Sequence, residues 1–301
     1  MSPLSKDTLG GFVPAVVTPF TTSGEIMTDA FAEIVDWLIG NGASGICVAG
    51  DNGESWSLDA EERRRLTTVA VQRAAGRVPV ITGATAPSAA TSILYAHAAA
   101  EGGASGLLLL PQTYVLKASR PELLRRFEAV ANAVKLPIIA YNSPRRSGID
   151  LSLADLEALL GTTPVIGLKE SSRDFFHHSH VLHTFRSRLA IMVGPSHYIF
   201  PGLALGARGF IATGPELLGP AVGRIMHLAK EAPSAEQSSL HHTLMLLYET
   251  LMATGTWPAS LKAALTLVGQ PAGVPRDPIL PLVQPELESL RRTLAHLGLL
   301  P

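Results

Sequence analysis

The sequence predicts an α/β protein, a (β/α)8 barrel followed by a C-terminal helical extension. Eight short apolar segments alternate with helical patterns between residues 12 and 214. Apolar runs such as ICVA and LLLL are continuous rather than alternating, which is typical of parallel strands covered on both faces. Parallel strands need right-handed crossovers, and eight βα units are enough to close a barrel. A doubly wound open sheet is the alternative.

Eight strands are predicted along the chain. They are residues 12–20, 45–50, 79–84, 106–111, 137–142, 165–170, 190–195 and 209–214. Each is short and apolar, and helical segments separate them.

The segments between the strands show helical periodicity. In the first, TDAFAEIVDWLIG, Thr28 can cap the helix and four apolar residues share one face: Phe31, Ile34, Val35 and Leu38. The segments 119–134 and 152–160 each begin with a serine, an ordinary helix start.

A repeated turn supports the same architecture. The pentapeptides GASGI at 42–46, GASGL at 103–107 and GARGF at 206–210 each follow a helix and precede an apolar run. The first glycine is expected to end the helix and turn the chain into the next strand.

The strand signals stop after Gly214. Helices are predicted at residues 220–230, 235–253, 259–268 and 285–297. The first would complete the barrel. We therefore expect a catalytic barrel at residues 1–231 and a helical extension at 232–301 that packs against it.

Composition narrows the class of protein. A net charge of -1 and the lack of basic runs argue against nucleic acid or anionic membrane as a partner. The N-terminal segment lacks a secretory pattern, and no apolar run reaches the length of a membrane span. The single cysteine, Cys47, lies in an apolar run, so no disulfide framework is expected. These features favour a cytoplasmic enzyme or binding protein.

A lysine ends the sixth predicted strand, in the segment VIGLKESSRD. Lysine is rarely buried unless it is paired or used. Glu170 could simply neutralise Lys169. Alternatively, Lys169 is reactive, because active sites of such barrels lie at the C-terminal ends of the strands.

Tyr141 ends the fifth strand and is expected at the same level as Lys169. Loss of solvation at a dry barrel mouth favours a neutral amine, which can form a Schiff base with a ketone. A phenol beside it can shuttle protons. A purely structural aromatic plug is the competing interpretation of Tyr141.

The chain resembles the dihydrodipicolinate synthase and N-acetylneuraminate lyase family of pyruvate-dependent class I aldolases. The motifs that carry the resemblance are FVPAVVTPF, GDNGES at 50–55, YNSPRRSG at 141–148, GLKE at 167–170, LALGARGFIATG, WPASLKAAL and PRDPILPL. They occur in the family's order over nearly the whole chain. The resemblance implies a homo-oligomer, with loops after the fourth strand meeting across an interface, and no metal or organic cofactor.

The resemblance also assigns residue roles. Lys169 would form an imine with pyruvate or another 2-oxo acid, and Tyr141 would shuttle protons. The loop of Gly50, Asp51 and Asn52 would bind the 2-oxo acid carboxylate. Three further positions complete the implied site. Ile211 lines it through its backbone, and Arg146 would bind the carboxylate of an aldehyde acceptor. Thr113 stands where the synthase branch has a tyrosine that a neighbouring subunit contributes to a proton relay with the catalytic tyrosine.

The sequence departs from the family pattern at two positions. The usual G-T-T-G-E is G-D-N-G-E here, with Asp51 and Asn52 in place of two threonines. The hydroxyl relay of the synthase branch is therefore altered, and an acid near a carboxylate pocket disfavours a second anion. A 2-keto-3-deoxy sugar-acid aldolase or dehydratase is the alternative function, and a non-catalytic 2-oxo acid binding protein is a further one.

Two other motifs are set aside. The G-x-G-x-x-G at 40–45 follows a helix and precedes a strand, the reverse of a dinucleotide site. His177, His180 and His183 could share a helix face and hold a metal, as in a metal-dependent aldolase. No companion carboxylate pattern accompanies them, so a polar helix face is the preferred interpretation.

Overall fold

The computed structural model describes residues 4–300, so residues 1–3 and 301 at the ends of the two predicted regions lie outside it. Eight parallel strands form one sheet in the order β1-β8-β7-β6-β5-β4-β3-β2. The strands are β1 Gly11–Phe12, β2 Ile46–Val48, β3 Val80–Gly83, β4 Gly106–Leu109, β5 Ile138–Asn142, β6 Val165–Glu170, β7 Ala190–Val193 and β8 Gly209–Phe210.

The sheet curls into a (β/α)8 barrel, as the sequence predicts. A parallel bridge between Ala15 and Cys47 joins the segment after β1 to β2 and so links the two ends of the sheet. The regular part of β1 and of β8 is only two residues long, much shorter than the predicted 12–20 and 209–214. Pro14 contributes to this difference, since proline has no backbone N–H for a ladder.

Helices cover the outside of the barrel and form the tail. They are α1 Thr28–Gly40, α2 Ala60–Ala74, α3 Ala89–Glu101, α4 Arg120–Ala133, α5 Pro144–Ser147, α6 Leu153–Thr162, α7 Phe175–Phe185, α8 Ile199–Ala204, α9 Ile225–Leu228, α10 Ala235–Ala253, α11 Ala259–Leu267 and α12 Gln284–His296. Short 3-10 helices lie at Ser55–Ser57, Ser196–Tyr198 and Pro215–Arg224.

Local patterns account for most helix faces and ends. The predicted apolar stripe of α1 is buried, but Met27 rather than Thr28 occupies the cap position. Ser152 caps α6 by accepting a hydrogen bond from the Asp155 N–H. The repeated turns carry Gly42, Gly103 and Gly206 at positive φ, the conformation that favours glycine after a helix.

The segment after β8 differs from the prediction of one helix at 220–230. A 3-10 segment runs to Arg224 with non-helical backbone at Gly219, and only the short α9 follows. Gly219 and Pro220 together interrupt the helical hydrogen bonds there.

The C-terminal extension packs against the barrel. Leu244, Leu247 and Leu251 of α10 and Leu290 and Leu294 of α12 are buried in the same apolar cluster as the barrel strands and helices. A second, smaller cluster fills the barrel interior around Cys47, Tyr141 and Ile211. No helix within residues 4–300 is long and apolar enough to cross a membrane.

Candidate active site

Lys169 and Tyr141 lie side by side inside the barrel. They are register partners on β6 and β5, and the Lys169 Nζ is 4.2 Å from the centroid of the Tyr141 ring. Both side chains are buried. Gly167 lets β7 approach β6 closely, because a Cβ there would lie 2.8 Å from the carbonyl oxygen of Ala190. Because Tyr141 and Lys169 are register partners, the phenol and the amine lie at the same level of the barrel, as their places at the strand ends predict.

Glu170 does not neutralise Lys169. Its carboxylate accepts hydrogen bonds from Asn142 Nδ2 at 2.8 Å and from the Ser172 N–H at 2.6 Å, and His177 Nε2 lies 3.5 Å away. Burial alone would raise the pKa of Glu170, but these hydrogen bonds hold it below its ordinary value. Within residues 4–300, no acid forms an ion pair with Lys169. The amine is buried without a compensating carboxylate.

The loop after β2 presents free backbone donors. The Glu54 N–H bonds to the Asp51 carbonyl and the Ser55 N–H to the Gly50 carbonyl, which closes a tight turn. The N–H groups of Asp51, Asn52 and Gly53 have no acceptor in the described part of the chain. A turn with consecutive free N–H groups is suited to an anion.

Asn52 adds a side-chain donor to this turn. Its side chain is buried, and Thr213 donates a hydrogen bond to Asn52 Oδ1 at 3.1 Å. That contact orients the amide and leaves the buried Nδ2 without an acceptor in residues 4–300. A buried donor without a partner is uncommon and marks a place for a ligand or a water.

Asp51 is paired with Arg146. Arg146 donates to Asp51 Oδ2 from Nε at 3.0 Å and from Nη2 at 2.8 Å. Both side chains are partly buried at the mouth. The two residues that the sequence analysis assigned separately thus form one charge-neutral unit.

Two adjoining cavities meet at this ion pair. The inner cavity, about 50 Å³, is lined by Asn52, Lys169 and Ile211. Tyr141, Asp51 and Arg146 line both cavities. The outer one, about 550 Å³, is lined largely by apolar side chains and includes Gly50 and Thr113. A small molecule bound to Lys169 would therefore extend toward a roomier compartment.

Cys47 lies in the interior cluster near Lys169. Burial raises the pKa of its thiol to about 11, although the charge of Lys169 acts in the opposite direction. The thiol is therefore neutral at physiological pH and is a poor nucleophile.

The histidines of α7 differ in their exposure. His180 and His183 are exposed, whereas His177 is partly buried against Glu170 and His178 is buried. The hydrogen bond with Glu170 raises the pKa of His177. No group of three or more metal-ligating side chains converges anywhere in residues 4–300. The interpretation as a polar helix face stays a prediction; within that face His177 is packed onto the end of β6, whereas His180 and His183 are exposed.

Several residues of the inner cavity were not singled out from the sequence. Ser171 and Arg173 follow Lys169 in the loop after β6, so reading three residues beyond Glu170 would have found them. Tyr248, Met252 and Trp257 come from the C-terminal extension. No local pattern indicates that α10 reaches the barrel mouth.

The fold and site define a (β/α)8-barrel enzyme with a buried lysine and a tyrosine at the C-terminal ends of neighbouring strands. The chain belongs to the dihydrodipicolinate synthetase family, whose model matches residues 8–297. The family supports a lyase or aldolase that acts on small molecules.

Individual relatives agree with this assignment. The chain is 33% identical to a 4-hydroxy-tetrahydrodipicolinate synthase of Symbiobacterium thermophilum, over 97% of this chain and 99% of that protein. It superimposes on the dihydrodipicolinate synthase of Cyanidioschyzon merolae with lysine bound, with 30% identity and a TM-score of 0.90 over 97% and 99% of the two chains. YagE of E. coli K12, a prophage protein of the same family in complex with pyruvate, matches with 28% identity, a TM-score of 0.90 and the same coverage.

Proposed function

We propose that this protein is a class I lyase in which Lys169 forms an imine with pyruvate or a related 2-oxo acid, which then joins to or separates from an aldehyde. A reaction of the 4-hydroxy-tetrahydrodipicolinate synthase type is the first candidate, since curated relatives carry that name over nearly their whole length. The pyruvate complex of YagE supports the choice of 2-oxo acid.

One observation carries the proposal: the amine of Lys169 is buried beside a phenol and forms no ion pair with an acid of the described residues. The geometry places the nitrogen nucleophile in a small cavity beside a phenol, the arrangement that imine formation with a ketone requires. A lysine that served only to balance Glu170 would contact Glu170, and here Glu170 is engaged elsewhere.

The chemistry follows in balanced steps. The neutral amine attacks the keto carbon, water leaves, and uptake of one proton gives the protonated imine. Loss of a proton from the adjacent carbon gives an enamine, which attacks the aldehyde carbon and forms the new C–C bond. The resulting alkoxide takes up a proton, and water releases the product from Lys169. Tyr141 is the proposed carrier of these protons, because its phenol ring lies beside the amine, with the ring centroid 4.2 Å from Nζ.

The loop after β2 supports the orientation of the substrate. The free N–H groups of residues 51–53 and the Asn52 Nδ2 can receive the carboxylate of the 2-oxo acid. This contact would aim the keto carbon at Lys169. Ile211 lines the same small cavity.

The acceptor is the less constrained part of the reaction. Arg146, which the resemblance assigns to an acidic aldehyde, is held by Asp51 in this chain. The pair offers hydroxyl groups both a carboxylate acceptor and guanidinium donors, so a sugar-acid aldolase or dehydratase is the second candidate.

The assembly and location are also proposals. The loop after β4 exposes Tyr114, Val115 and Leu116, with Tyr114 and Leu116 at positive φ. Exposed apolar residues in a strained loop are suited to burial against a second copy, and Thr113 beside them lines the outer cavity. We propose a cytoplasmic homo-oligomer, a dimer or a tetramer, that needs no metal or organic cofactor.

Borohydride reduction in the presence of pyruvate tests the mechanism. A stable adduct on Lys169, located by peptide mass mapping, is the expected result. Lys262 is an internal control, since it is equally buried but ion-paired, and it should remain unmodified. An adduct spread over surface lysines, or no adduct from folded protein with pyruvate, would contradict the proposal.

A further inference from the structure

Arg173 is an arginine in an unusual place. It lies four residues after Lys169, with φ 66, a left-handed conformation that residues with a side chain rarely adopt. Its side chain is partly buried and lines the same inner cavity as Lys169 and Asn52. The strained backbone therefore presents a guanidinium group to the site.

Tyrosines hold Arg173 from two directions. The Tyr248 hydroxyl of α10 accepts hydrogen bonds from Arg173 Nε at 2.9 Å and Nη2 at 2.5 Å. The Tyr198 hydroxyl donates to the Arg173 backbone carbonyl at 2.9 Å. The guanidinium is therefore positioned before any ligand arrives.

The charge of Arg173 is not neutralised by any acid in the described part of the chain. Guanidinium has five N–H groups, and Tyr248 receives only two of them. Within residues 4–300 no carboxylate forms an ion pair with Arg173, and Glu249, which shares a surface groove with it, makes no such contact either. Trp257, on the same cavity, has a buried indole N–H that also lacks an acceptor among these residues.

Arg146 presents the opposite case. Its charge is satisfied by Asp51, so an anionic ligand would have to displace an existing carboxylate. Arg145 also lines both cavities, but its side chain is exposed. Arg173 is a partly buried and pre-positioned cation of the inner cavity that no carboxylate in residues 4–300 pairs.

We propose that Arg173, positioned by Tyr248, is a specificity-determining residue that binds a carboxylate at the far end of the substrate. The site would thus prefer 2-oxo acids with a second carboxylate. The planar fork of guanidinium can bind such a group through two parallel hydrogen bonds. This assignment rests on the proposed imine chemistry of Lys169. It also means that Arg173, on the side of the cavity formed with the C-terminal extension, recognises the acceptor instead of Arg146.

Trapping by borohydride can be used to measure this preference without a known acceptor. Two probes of equal chain length are compared, 2-oxoglutarate with two carboxylates and 2-oxopentanoate with one. In the wild-type protein we expect half-maximal trapping at an approximately 10-fold lower concentration of 2-oxoglutarate, the size of a charge-assisted contact.

Variants of Arg173 should remove this preference. Arg173→Gln is expected to bring the two half-maximal concentrations within about 2-fold of each other, since the charge is lost. Arg173→Lys should recover part of the difference. Arg173→Gly is the second test, because glycine accepts φ 66 without strain and a folding defect would not then explain the loss.

Tyr248→Phe tests the positioning role. Without the hydroxyl the guanidinium is no longer fixed, so the preference should fall while trapping of 2-oxopentanoate is largely retained. Arg145→Gln is the matched control and should keep the full preference.

The outcomes separate the two proposals. If pyruvate leaves no adduct on wild-type Lys169, the imine chemistry fails and the subsite falls with it. If pyruvate labels Lys169 but the wild type shows no preference for 2-oxoglutarate, or Arg173→Gln and Arg173→Gly retain it, only the subsite is wrong. Loss of the preference in Arg145→Gln but not in Arg173→Gln would also overturn the assignment.

Discussion

Two buried lysines of this protein differ in their partners. Lys169 in the barrel is 4% exposed and Lys262 on α11 is 1% exposed, and each Nζ lies over an aromatic ring, Tyr141 at 4.2 Å and Phe20 at 4.5 Å. Lys262 also forms an ion pair with Glu54 and donates to the Val274 carbonyl at 2.7 Å. Lys169 has no such acid among the described residues.

The difference shows how burial serves two purposes. Burial lowers the pKa of Lys262 to about 8, and Glu54 opposes that shift. Because Glu54 also ends the loop that carries Asp51 and Asn52, the pair ties this loop to the C-terminal extension. A buried lysine that is ion-paired with an acid holds two parts of the structure together, whereas a buried lysine without such an acid is available for chemistry.

The largest expected effect is that of Lys169→Met. The substitution removes the amine but keeps an extended apolar side chain, so activity should fall by about 10⁴-fold or more, as for other covalent catalytic groups. The thermal midpoint should stay unchanged or rise, because no ion pair is broken. Steady-state kinetics and calorimetry measure the two quantities. Substantial remaining turnover would contradict the imine mechanism.

The same substitution at Lys262 should produce the reverse pattern. Lys262→Met leaves the Glu54 carboxylate buried without its cation, which should lower the free energy of unfolding by about 3–5 kcal/mol. Denaturant titration measures the loss. The double variant Glu54→Gln/Lys262→Met has no orphaned charge and should be less destabilised. Equal losses in the single and double variants would show that packing, not charge, explains the effect.

Tyr141→Phe sharpens the comparison by keeping the ring beside Lys169 and removing the hydroxyl. Turnover should fall by about 10²–10⁴-fold, the usual range for loss of a general acid–base group. Trapping of pyruvate by borohydride should be largely retained. A parallel loss of trapping and turnover would indicate that the tyrosine mainly positions substrate.

Glu216 extends the comparison to a buried acid that forms no ion pair with a cation of residues 4–300. Burial raises its pKa to about 7, and the Gly214 N–H donates to Oε2 at 2.8 Å. Since the folded-state pKa is above the unfolded value of 4.5, the protein binds more protons when folded. The free energy of unfolding should therefore decrease as pH rises from about 4.5 to 7, by at most about 3 kcal/mol from this group.

Glu216→Gln should remove that part of the pH dependence. Urea denaturation at pH 5 and pH 8 would compare the two proteins, and the variant should gain stability relative to wild type mainly at pH 8. An unchanged difference between the two pH values would mean that Glu216 is ionised in the folded protein.

Much of the barrel could be predicted because its signals are local. Continuous apolar runs, helix stripes and repeated glycine turns identify the βα units, and counting strand ends brings Tyr141 and Lys169 together. The lengths of β1 and β8 and the 3-10 segment after β8 were not predictable in the same way. They depend on which backbone groups find hydrogen-bond partners on the neighbouring strand when the sheet closes into a barrel.

The sequence by itself determined the family, the barrel and the position of a lysine at the end of β6, since motifs and periodicity act over a few residues. Only the tertiary structure decided which charges are paired: Asp51 with Arg146, Glu54 with Lys262, and Glu170 with groups other than Lys169. Arg173 meets Tyr248 across 75 residues of chain in the same way. Such contacts depend on the packing of distant elements, and pairing decides whether a buried charge is structural or reactive.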